Sequence, residues 1–396
     1  MTDCILLILR PISMALDGST DEGYCHSMSE EKANISTLFP ILNAEQQGQP
    51  LRGIARLAAC GEHADGGHLV EFRTLPVRSL LNKSVSRRGL WFGKSINPYR
   101  GCEFGCRYCY ARYTHEFMEM KDPAEFERKI YIKQNAAWLL RQELRELRPG
   151  EEIALGTATD PWQPIERRAR VTRSILEALA EHRGLRIGVV TKSTLIERDI
   201  DLLQRIAERS ELVLNITITT PDVALARILE PRAPRPDLRF RTVKRLRLAG
   251  LRTGILCSPL MPGITDNAQA LDAMCRLASE AGANFLAANP LFLKPCSKAT
   301  FLAFVHEHFP ELDASYARRY EDNAFVSKAY QKRVSEMVSA VTRRYGLSGR
   351  FAGPPAKVQR PEPVQRELWP LQPVKREPAS IAGNSGPRTQ RVMMTS

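Results

Sequence analysis

The sequence predicts an α/β fold in which six parallel strands form a sheet or partial barrel. Two observations predict it: β-type apolar runs alternate with amphipathic helical patterns across residues 93–290, and every gap between strands holds at least one helical pattern. Such alternation produces right-handed βα units whose strands lie parallel in one sheet. The strand candidates are GKSINP (93–98), EEIALGTA (151–158), RIGVVTK (186–192), ELVLNITITT (211–220), LRTGILCSP (251–259) and ANFLAANP (283–290). The helix candidates lie near residues 133–147, 171–182, 199–209, 222–229, 239–249 and 267–281.

Composition divides the chain into a folded centre and two different ends. The 396 residues, 43% of them hydrophobic, suffice for a barrel-sized domain plus extensions. Residues 1–50 lack sustained periodicity and are left unassigned, and 51–92 form a lead-in segment. Residues 93–290 hold the predicted barrel and 291–347 a C-terminal helical extension. Residues 348–396, rich in proline and arginine, are typical of a disordered tail.

Cysteine use and hydropathy indicate a cytoplasmic protein. Nine cysteines, an odd number scattered among charged helices, do not form the pattern of a disulfide framework. The apolar run at residues 5–9 is shorter than a signal-peptide core, and no segment is long enough to span a membrane. We therefore expect a reducing compartment and no membrane partner.

The net charge of +13 is unevenly distributed. Residues 341–396 carry ten Arg or Lys against three Glu, and residues 232–252 carry eight basic residues with Asp237 as the only acid. Such patches can neutralise phosphates, so nucleic acid is a predicted partner. A solvated helix face plus a soluble tail is the alternative.

Three cysteines within eight residues, Cys102, Cys106 and Cys109, form the strongest candidate site. Iron–sulfur clusters take cysteine thiolates, commonly four, and a cubane held by three leaves one iron free for another ligand. Zinc held by the three cysteines and His115 is the alternative.

The carboxyl ends of the predicted strands carry further polar residues. In parallel α/β folds, sites gather at this edge, where the cysteines follow the first strand and Asp160, Lys192 and Thr219 follow later ones. On the fourth strand, alternation places polar side chains on the face opposite its isoleucines, although a buried parallel strand is normally apolar on both faces. That face, which holds Val213, Asn215, Thr217 and Thr219, indicates a ligand inside the barrel, with threonine as a β-branched filler as the alternative.

The spacing C-x3-C-x2-C, with the aromatic Tyr108 before the last cysteine, resembles the signature of the radical S-adenosylmethionine (SAM) enzymes. The segments NPYRGCEFGCRYCYAR, GTATDPWQPIE, TKSTLIERDIDLL, LEPRAPRPDLR and PLMPGITD together resemble the branch related to spore photoproduct lyase, a DNA-repair enzyme. The resemblance covers about residues 77–347. It implies a partial (βα)6 radical-SAM barrel.

The resemblance also implies the chemistry. Cys102, Cys106 and Cys109 match the ligands of a 4Fe-4S cluster whose unique iron binds S-adenosyl-L-methionine. One electron, delivered by a donor such as flavodoxin or ferredoxin, cleaves the sulfonium, and a 5′-deoxyadenosyl radical abstracts hydrogen from a substrate. The matched cofactor-binding residues are Tyr108 beside the cofactor, Thr159 and Asp160 for its amino group or ribose, Lys192 for its carboxylate and Thr217 for its ribose.

One position departs from the lyases. Where they carry a cysteine that returns a hydrogen atom to the product radical, this chain has Thr157, whose O–H bond is too strong for that role. Tyr110 matches a tyrosine that resembles the lyase relay and is the predicted catalytic residue, while Cys257 or Cys296 are alternative donors. Repair of spore photoproduct itself is therefore not expected, and another nucleic-acid lesion, an RNA base or a protein side chain are the candidate substrates.

Two further interpretations remain open. The chain could be a metal-stabilised nucleic-acid-binding module without catalysis. In the tail, the run Gln365, Arg366, Glu367, Leu368, Trp369 resembles the short peptides by which bacterial DNA-processing proteins dock on the replicative sliding clamp. The flanking prolines would lower the ordering cost of such a peptide.

Overall fold

A computed structural model of the chain describes residues 53–54, 56, 63–66, 70–83 and 92–347. The unassigned segment 1–50, the predicted tail and the predicted clamp-binding motif lie outside these residues. In the described part, no helix combines the length and apolar character needed to cross a bilayer.

The described residues contain two sheets. In chain order, their strands are β1 (His63–Gly66), β2 (Glu71–Leu75), β3 (Leu81–Lys83), β4 (Lys94–Ile96), β5 (Tyr99–Arg100), β6 (Lys129–Lys133), β7 (Glu152–Leu155), β8 (Arg186–Thr191), β9 (Glu211–Thr217), β10 (Thr253–Leu260) and β11 (Leu286–Pro290). The larger sheet has the order β11-β10-β9-β8-β7-β4-β3, and the smaller has the order β1-β2-β6-β5.

The larger sheet confirms the predicted α/β fold. Its strands β4, β7, β8, β9, β10 and β11 correspond to the six strand candidates, and each pairs in parallel with the next. Because chain order equals sheet order, the winding is that of a βα barrel rather than of a doubly wound sheet. Among the described strands, β11 and the antiparallel β3 form the two ends of the sheet and do not pair with each other, so it is open.

Helices connect these strands near the predicted positions. The α-helices of the described residues are α1 (Tyr113–Glu116), α2 (Glu125–Arg128), α3 (Ala136–Leu144), α4 (Glu166–Ala169), α5 (Val171–Glu181), α6 (Ile200–Ala207), α7 (Val223–Leu229), α8 (Pro236–Leu248), α9 (Ala268–Glu280), α10 (Pro295–His308), α11 (Asp313–Arg319) and α12 (Lys328–Arg344). The Asp222 carboxylate caps α7 by accepting from the Ala224 amide at 2.8 Å, and Pro236 starts α8 three residues earlier than predicted. Helices α10 to α12 form the predicted C-terminal extension.

The smaller sheet was not predicted. The helical pattern expected from residue 133 begins at Ala136, because Lys133 ends β6 and pairs in register with Leu75. This sheet places β5 directly before the cysteines, so it supports the start of the candidate site.

Candidate active site

The loop that carries the three cysteines, residues 101–109, is shaped by backbone contacts. Gly101 begins it with a φ of +84°, and a Cβ atom there would lie 2.8 Å from the carbonyl oxygen of Phe126. The Cys102 amide donates to that same carbonyl at 3.0 Å, and the Cys109 amide donates to the Cys106 carbonyl at 3.2 Å. The three predicted cluster ligands therefore belong to one short loop, and backbone hydrogen bonds fix the path of the chain near both of its ends.

Side chains that follow β7 hold one side of the cysteine loop. The Thr159 hydroxyl donates to the Gly101 carbonyl at 2.6 Å and accepts from the Gln163 amide at 3.2 Å. The Gln163 side-chain oxygen accepts from the Glu103 amide at 2.9 Å, and the Glu103 carboxylate accepts from the Ile165 amide at 2.8 Å. Thr159, predicted to contact the cofactor, is thus engaged with the loop, and its cofactor contact stays a prediction.

The segment after α7 holds the other side. The Arg107 amide donates to the Leu229 carbonyl at 2.9 Å, and the Arg232 amide donates to the Phe104 carbonyl at 3.3 Å. These two backbone bonds run between residues 104–107 and 229–232 like a short ladder. The cysteine loop is consequently clamped between the ends of β7 and α7.

The cysteine thiols lie in surroundings that oppose charge. Burial raises the pKa of Cys102 well above its usual range, and the nearby Asp160 raises it further. Burial raises the pKa of Cys106 to about 12, although Lys192 acts in the opposite direction. Since thiolates are the metal ligands, metal binding here must release protons.

His115, the fourth ligand of the zinc alternative, is held elsewhere. Its ring packs against Phe126 and Tyr131, and its Nε2 lies 3.0 Å from the Lys129 carbonyl. Burial lowers the pKa of His115 to about 4. In the described part of the chain, no group of three or more His, Cys, Asp or Glu side chains is arranged to hold a metal ion. The single-zinc alternative gains no support, whereas a cubane binds each thiolate through a different iron and does not need the sulfurs around one point.

Asp160 links the ends of two neighbouring strands. Its Oδ1 accepts from the Trp162 amide at 2.9 Å and from the Thr191 hydroxyl at 2.7 Å, and its Oδ2 accepts from the Lys192 amide at 2.7 Å. Burial nevertheless raises its pKa. A carboxylate has about four lone-pair sites, so Oδ2 keeps one for a ligand.

Lys192 supplies an ammonium group without an internal partner. Its Nζ lies 5.6 Å from the ring centroid of Tyr108 and has no hydrogen bond or ion pair among the described residues. Burial is the largest single effect on its pKa and lowers it, but the neighbouring Cys106, Glu230 and Asp160 together raise the pKa above its usual value. A charged, half-buried and unpaired amine at this edge suits a carboxylate ligand.

The inward face of β9 is polar, as predicted. Asn215, Thr217 and Thr219 are all buried. The Asn215 amide nitrogen donates to the Val189 carbonyl at 2.8 Å, but its Oδ1 has no partner among the described residues. The Thr217 hydroxyl likewise makes no side-chain hydrogen bond within the described chain. Because an unpaired buried polar atom is unfavourable, the Asn215 Oδ1 is suited to a bound ligand.

Two charged residues of this site, Glu230 and Arg239, were not predicted from the sequence. The Tyr108 hydroxyl donates to Glu230 and lies 2.9 Å from the Thr219 hydroxyl. Glu230 forms an ion pair with Arg239 at 2.5 Å, and Arg239 also donates to the Thr217 carbonyl at 3.1 Å. Arg239 and Lys192 hold the pKa of Glu230 below its usual value despite its burial. The segment LEPRAPRPDLR contains both residues, but its basic character indicated an exposed patch.

Tyr110 reaches the position where the chain departs from the lyases. Its hydroxyl donates to the Thr157 carbonyl, and its ring lies 5.3 Å from that of Phe292. Asn97 donates to the Thr157 hydroxyl at 3.3 Å. Burial raises the pKa of Tyr110, so the phenol keeps its proton. The catalytic role of Tyr110 stays a prediction.

The two alternative donor cysteines contact different residues of the site. The Cys257 thiol is 3.7 Å from the Thr219 carbonyl, and the Cys296 thiol is 3.6 Å from the Tyr110 carbonyl. Burial raises the pKa of Cys257 to about 12 and that of Cys296 to about 11. Cys296 is therefore the one that contacts the predicted catalytic residue.

The basic segment 232–252 is partly neutralised by acidic neighbours. Arg235 and Arg241 pair with Asp237 at 3.0 and 3.3 Å, and Arg245 pairs with Glu197. Exposed ion pairs contribute little, so phosphates could exchange for these carboxylates. The patch nevertheless offers less free charge than its composition indicates.

Comparisons with known proteins identify the family of the chain. A family model described as Radical SAM superfamily matches residues 96–275. An uncharacterized protein of Mycobacterium tuberculosis (strain H37Rv) is 32% identical over 304 residues, which cover 76% of this chain and 88% of that protein. An uncharacterized protein of Methanocaldococcus jannaschii is 28% identical over 43% of this chain and 61% of its own length. The chain belongs to the radical SAM superfamily, a class of enzymes.

Solved structures of spore photoproduct lyase are similar to this chain in fold. Spore photoproduct lyase complexed with dinucleoside spore photoproduct superposes with a TM-score of 0.51 at 13% identity, over 71% of this chain and 82% of the lyase. A mutant of spore photoproduct lyase gives a TM-score of 0.52 at 16% identity, over 70% of this chain and 82% of the lyase. At this identity the likeness concerns the fold alone.

Proposed function

We propose that the chain holds a 4Fe-4S cluster on Cys102, Cys106 and Cys109 and uses it to generate a 5′-deoxyadenosyl radical from SAM. When bound, the cluster and SAM supply a one-electron cleavage of the sulfonium and a radical that abstracts hydrogen. The observation that carries this proposal is that the Lys192 ammonium, which has no hydrogen bond or ion pair in the described chain, lies 5.6 Å from the ring of Tyr108 in the cysteine loop.

The chain's own residues would orient the cofactor. Lys192 would pair with the SAM carboxylate, Asp160 Oδ2 would accept from the amino group through its free lone pair, and the Thr217 hydroxyl would contact the ribose. Tyr108 would pack beside the cofactor, because its ring is fixed at the hydroxyl by Glu230.

We further propose a nucleic-acid substrate and lyase-like chemistry. The net charge of +13 favours a phosphate-bearing partner and a small acidic electron donor such as flavodoxin or ferredoxin. Thr157 argues against spore photoproduct itself, which leaves another lesion or base as the target. Modification of a protein side chain is the outcome to consider if no nucleic acid is converted.

Cysteine replacement tests the cluster directly. The wild-type chain, reconstituted without oxygen, is expected to be brown with about four irons per chain, and to form 5′-deoxyadenosine with dithionite and SAM. Cys102→Ala, Cys106→Ala and Cys109→Ala should each abolish both properties, since two thiolates hold a cubane poorly. Cys275→Ala, which alters a buried cysteine of α9, is the control and should retain both.

Two results would contradict the proposal. One is a cysteine-loop variant that keeps full iron content and turnover. The other is colourless wild-type protein with one zinc per chain and no SAM binding, which would favour a metal-stabilised binding module.

A further inference from the structure

We infer that the buried ion pair of Glu230 and Arg239 positions the cysteine loop and sets the charge balance around its cluster. The inference rests on the proposed function, because it assigns a role toward the same cluster. It makes Glu230 and Arg239 positioning residues that act through Tyr108 and the loop backbone.

The pair lies at the centre of the contacts that clamp the loop. Glu230 follows Leu229, whose carbonyl accepts from the Arg107 amide, and precedes Arg232, whose amide donates to the Phe104 carbonyl. The Glu230 carboxylate accepts from the hydroxyl of Tyr108, the residue between the second and third cysteines. The loop is thereby held by the backbone on both sides of Glu230 and by the Glu230 side chain itself.

Arg239 lies on the far side of Glu230 from the loop. Besides its 2.5 Å contact with Glu230, it donates to the Thr217 carbonyl at 3.1 Å and to the Pro234 carbonyl at 2.6 Å. Its described contacts do not include the cysteine loop. The negative end of the pair therefore points to the cluster ligands and the positive end to β9.

Stability alone is a weak reason for such a pair. Only 2% of Glu230 and 1% of Arg239 is exposed, so both charges are removed from water. Desolvation largely offsets the attraction within buried ion pairs, and well-packed apolar residues can often replace them without loss. An electrostatic effect of the pair on the cluster would explain why two charged residues occupy this buried position.

The direction of that field makes the inference testable. A negative charge near the cluster disfavours the added electron of the reduced state, and a positive charge favours it. Glu230 contacts Tyr108 of the cysteine loop, whereas the described contacts of Arg239 do not include the loop, so the effect of Glu230 should exceed that of Arg239. Removing the Glu230 charge should make the cluster easier to reduce, and removing both charges should have a smaller effect in the same direction.

The experiment compares reduction potentials of the reconstituted full chain by electron paramagnetic resonance. At the wild-type midpoint potential, Glu230→Gln should raise the ratio of reduced to oxidised cluster at least about two-fold. The double variant with Glu230→Gln and Arg239→Met should raise it less. Asp199→Asn is the matched control, because Asp199 is a buried carboxylate paired with Arg173 at 2.7 Å, and it should leave the ratio unchanged.

The outcomes separate this inference from the proposed function. Wild-type protein without iron would remove the proposed function. Iron-loaded Glu230→Gln with the wild-type ratio would overturn the inference and leave the proposed function intact. If Glu230→Gln does not fold, the neutral double variant decides alone, and a ratio equal to that of wild type overturns the inference.

Discussion

Lys192 is the side chain on which SAM affinity should depend most directly. Lys192→Met keeps much of the stem and removes the ammonium, which lies over the Tyr108 ring and has no hydrogen bond or ion pair in the described chain. Losing one charge-assisted hydrogen bond of about 1.5–3 kcal/mol predicts roughly ten- to more than a hundred-fold weaker binding. Calorimetry on reconstituted protein should find this loss at unchanged iron content.

The exposed Lys244 on α8 provides the control for that measurement. Lys244→Met removes the same charge from the same side chain outside the site and should leave SAM affinity unaltered. Equal affinity in Lys192→Met and wild type would exclude Lys192 as the carboxylate contact.

Asp160 illustrates that residue type and sequence position can locate a site without determining what the side chain does there. Its place after β7 predicted a cofactor ligand, but its carboxylate also accepts three internal hydrogen bonds. Asp160→Ala would therefore weaken the junction of β7 and β8 as well as any ligand contact. Glu230 shows the opposite case, because no local pattern indicates that a glutamate in a basic segment will be buried with an arginine.

At the scale of elements, the cysteine loop depends on Gly101. Gly101→Ala places a Cβ atom 2.8 Å from two backbone carbonyl oxygens, which cannot move aside as a side chain can. We expect lost iron loading and destabilisation beyond the ~1–2 kcal/mol of a left-handed alanine. Iron content and urea unfolding measure the two effects.

Gly250→Ala separates the clash from the backbone conformation. Gly250 has a φ of +80° with nothing within 4 Å of an added Cβ, so its variant carries the conformational effect alone. The prediction is wrong if Gly101→Ala loads iron fully and is as stable as Gly250→Ala. That result would show that the close contact at Gly101 does not shape the loop.

The six parallel strands of the larger sheet were predictable, because most of them are apolar runs bounded by turn or loop residues. Its seventh strand, β3, was not predicted, since it is the three-residue run LNK. The smaller sheet was not predictable either, since β5 has two residues and β6 immediately precedes a helical pattern. Short strands are stabilised by their partners, and pairing between residues far apart in the chain leaves no local signal.

At the scale of the whole molecule, the substrate that the chain can convert depends on which residue returns a hydrogen atom to the product radical. The Tyr110 hydroxyl meets the backbone of Thr157, where the lyases carry a cysteine. We expect the wild type to convert a spore photoproduct dinucleotide to thymines poorly, and Thr157→Cys to increase that conversion. Chromatography of the products measures both, and clean repair by the wild type would refute our interpretation of Thr157.

The backbone hydrogen bonds of the cysteine loop have a consequence for oxygen damage. The Cys102 and Arg107 amides and the Gly101 and Phe104 carbonyls are held by the surrounding chain and not by iron. Because these hydrogen bonds do not involve iron, we expect the loop backbone to keep its path when the cluster is lost. Protein that has lost its iron to oxygen should then accept a new cluster without unfolding first.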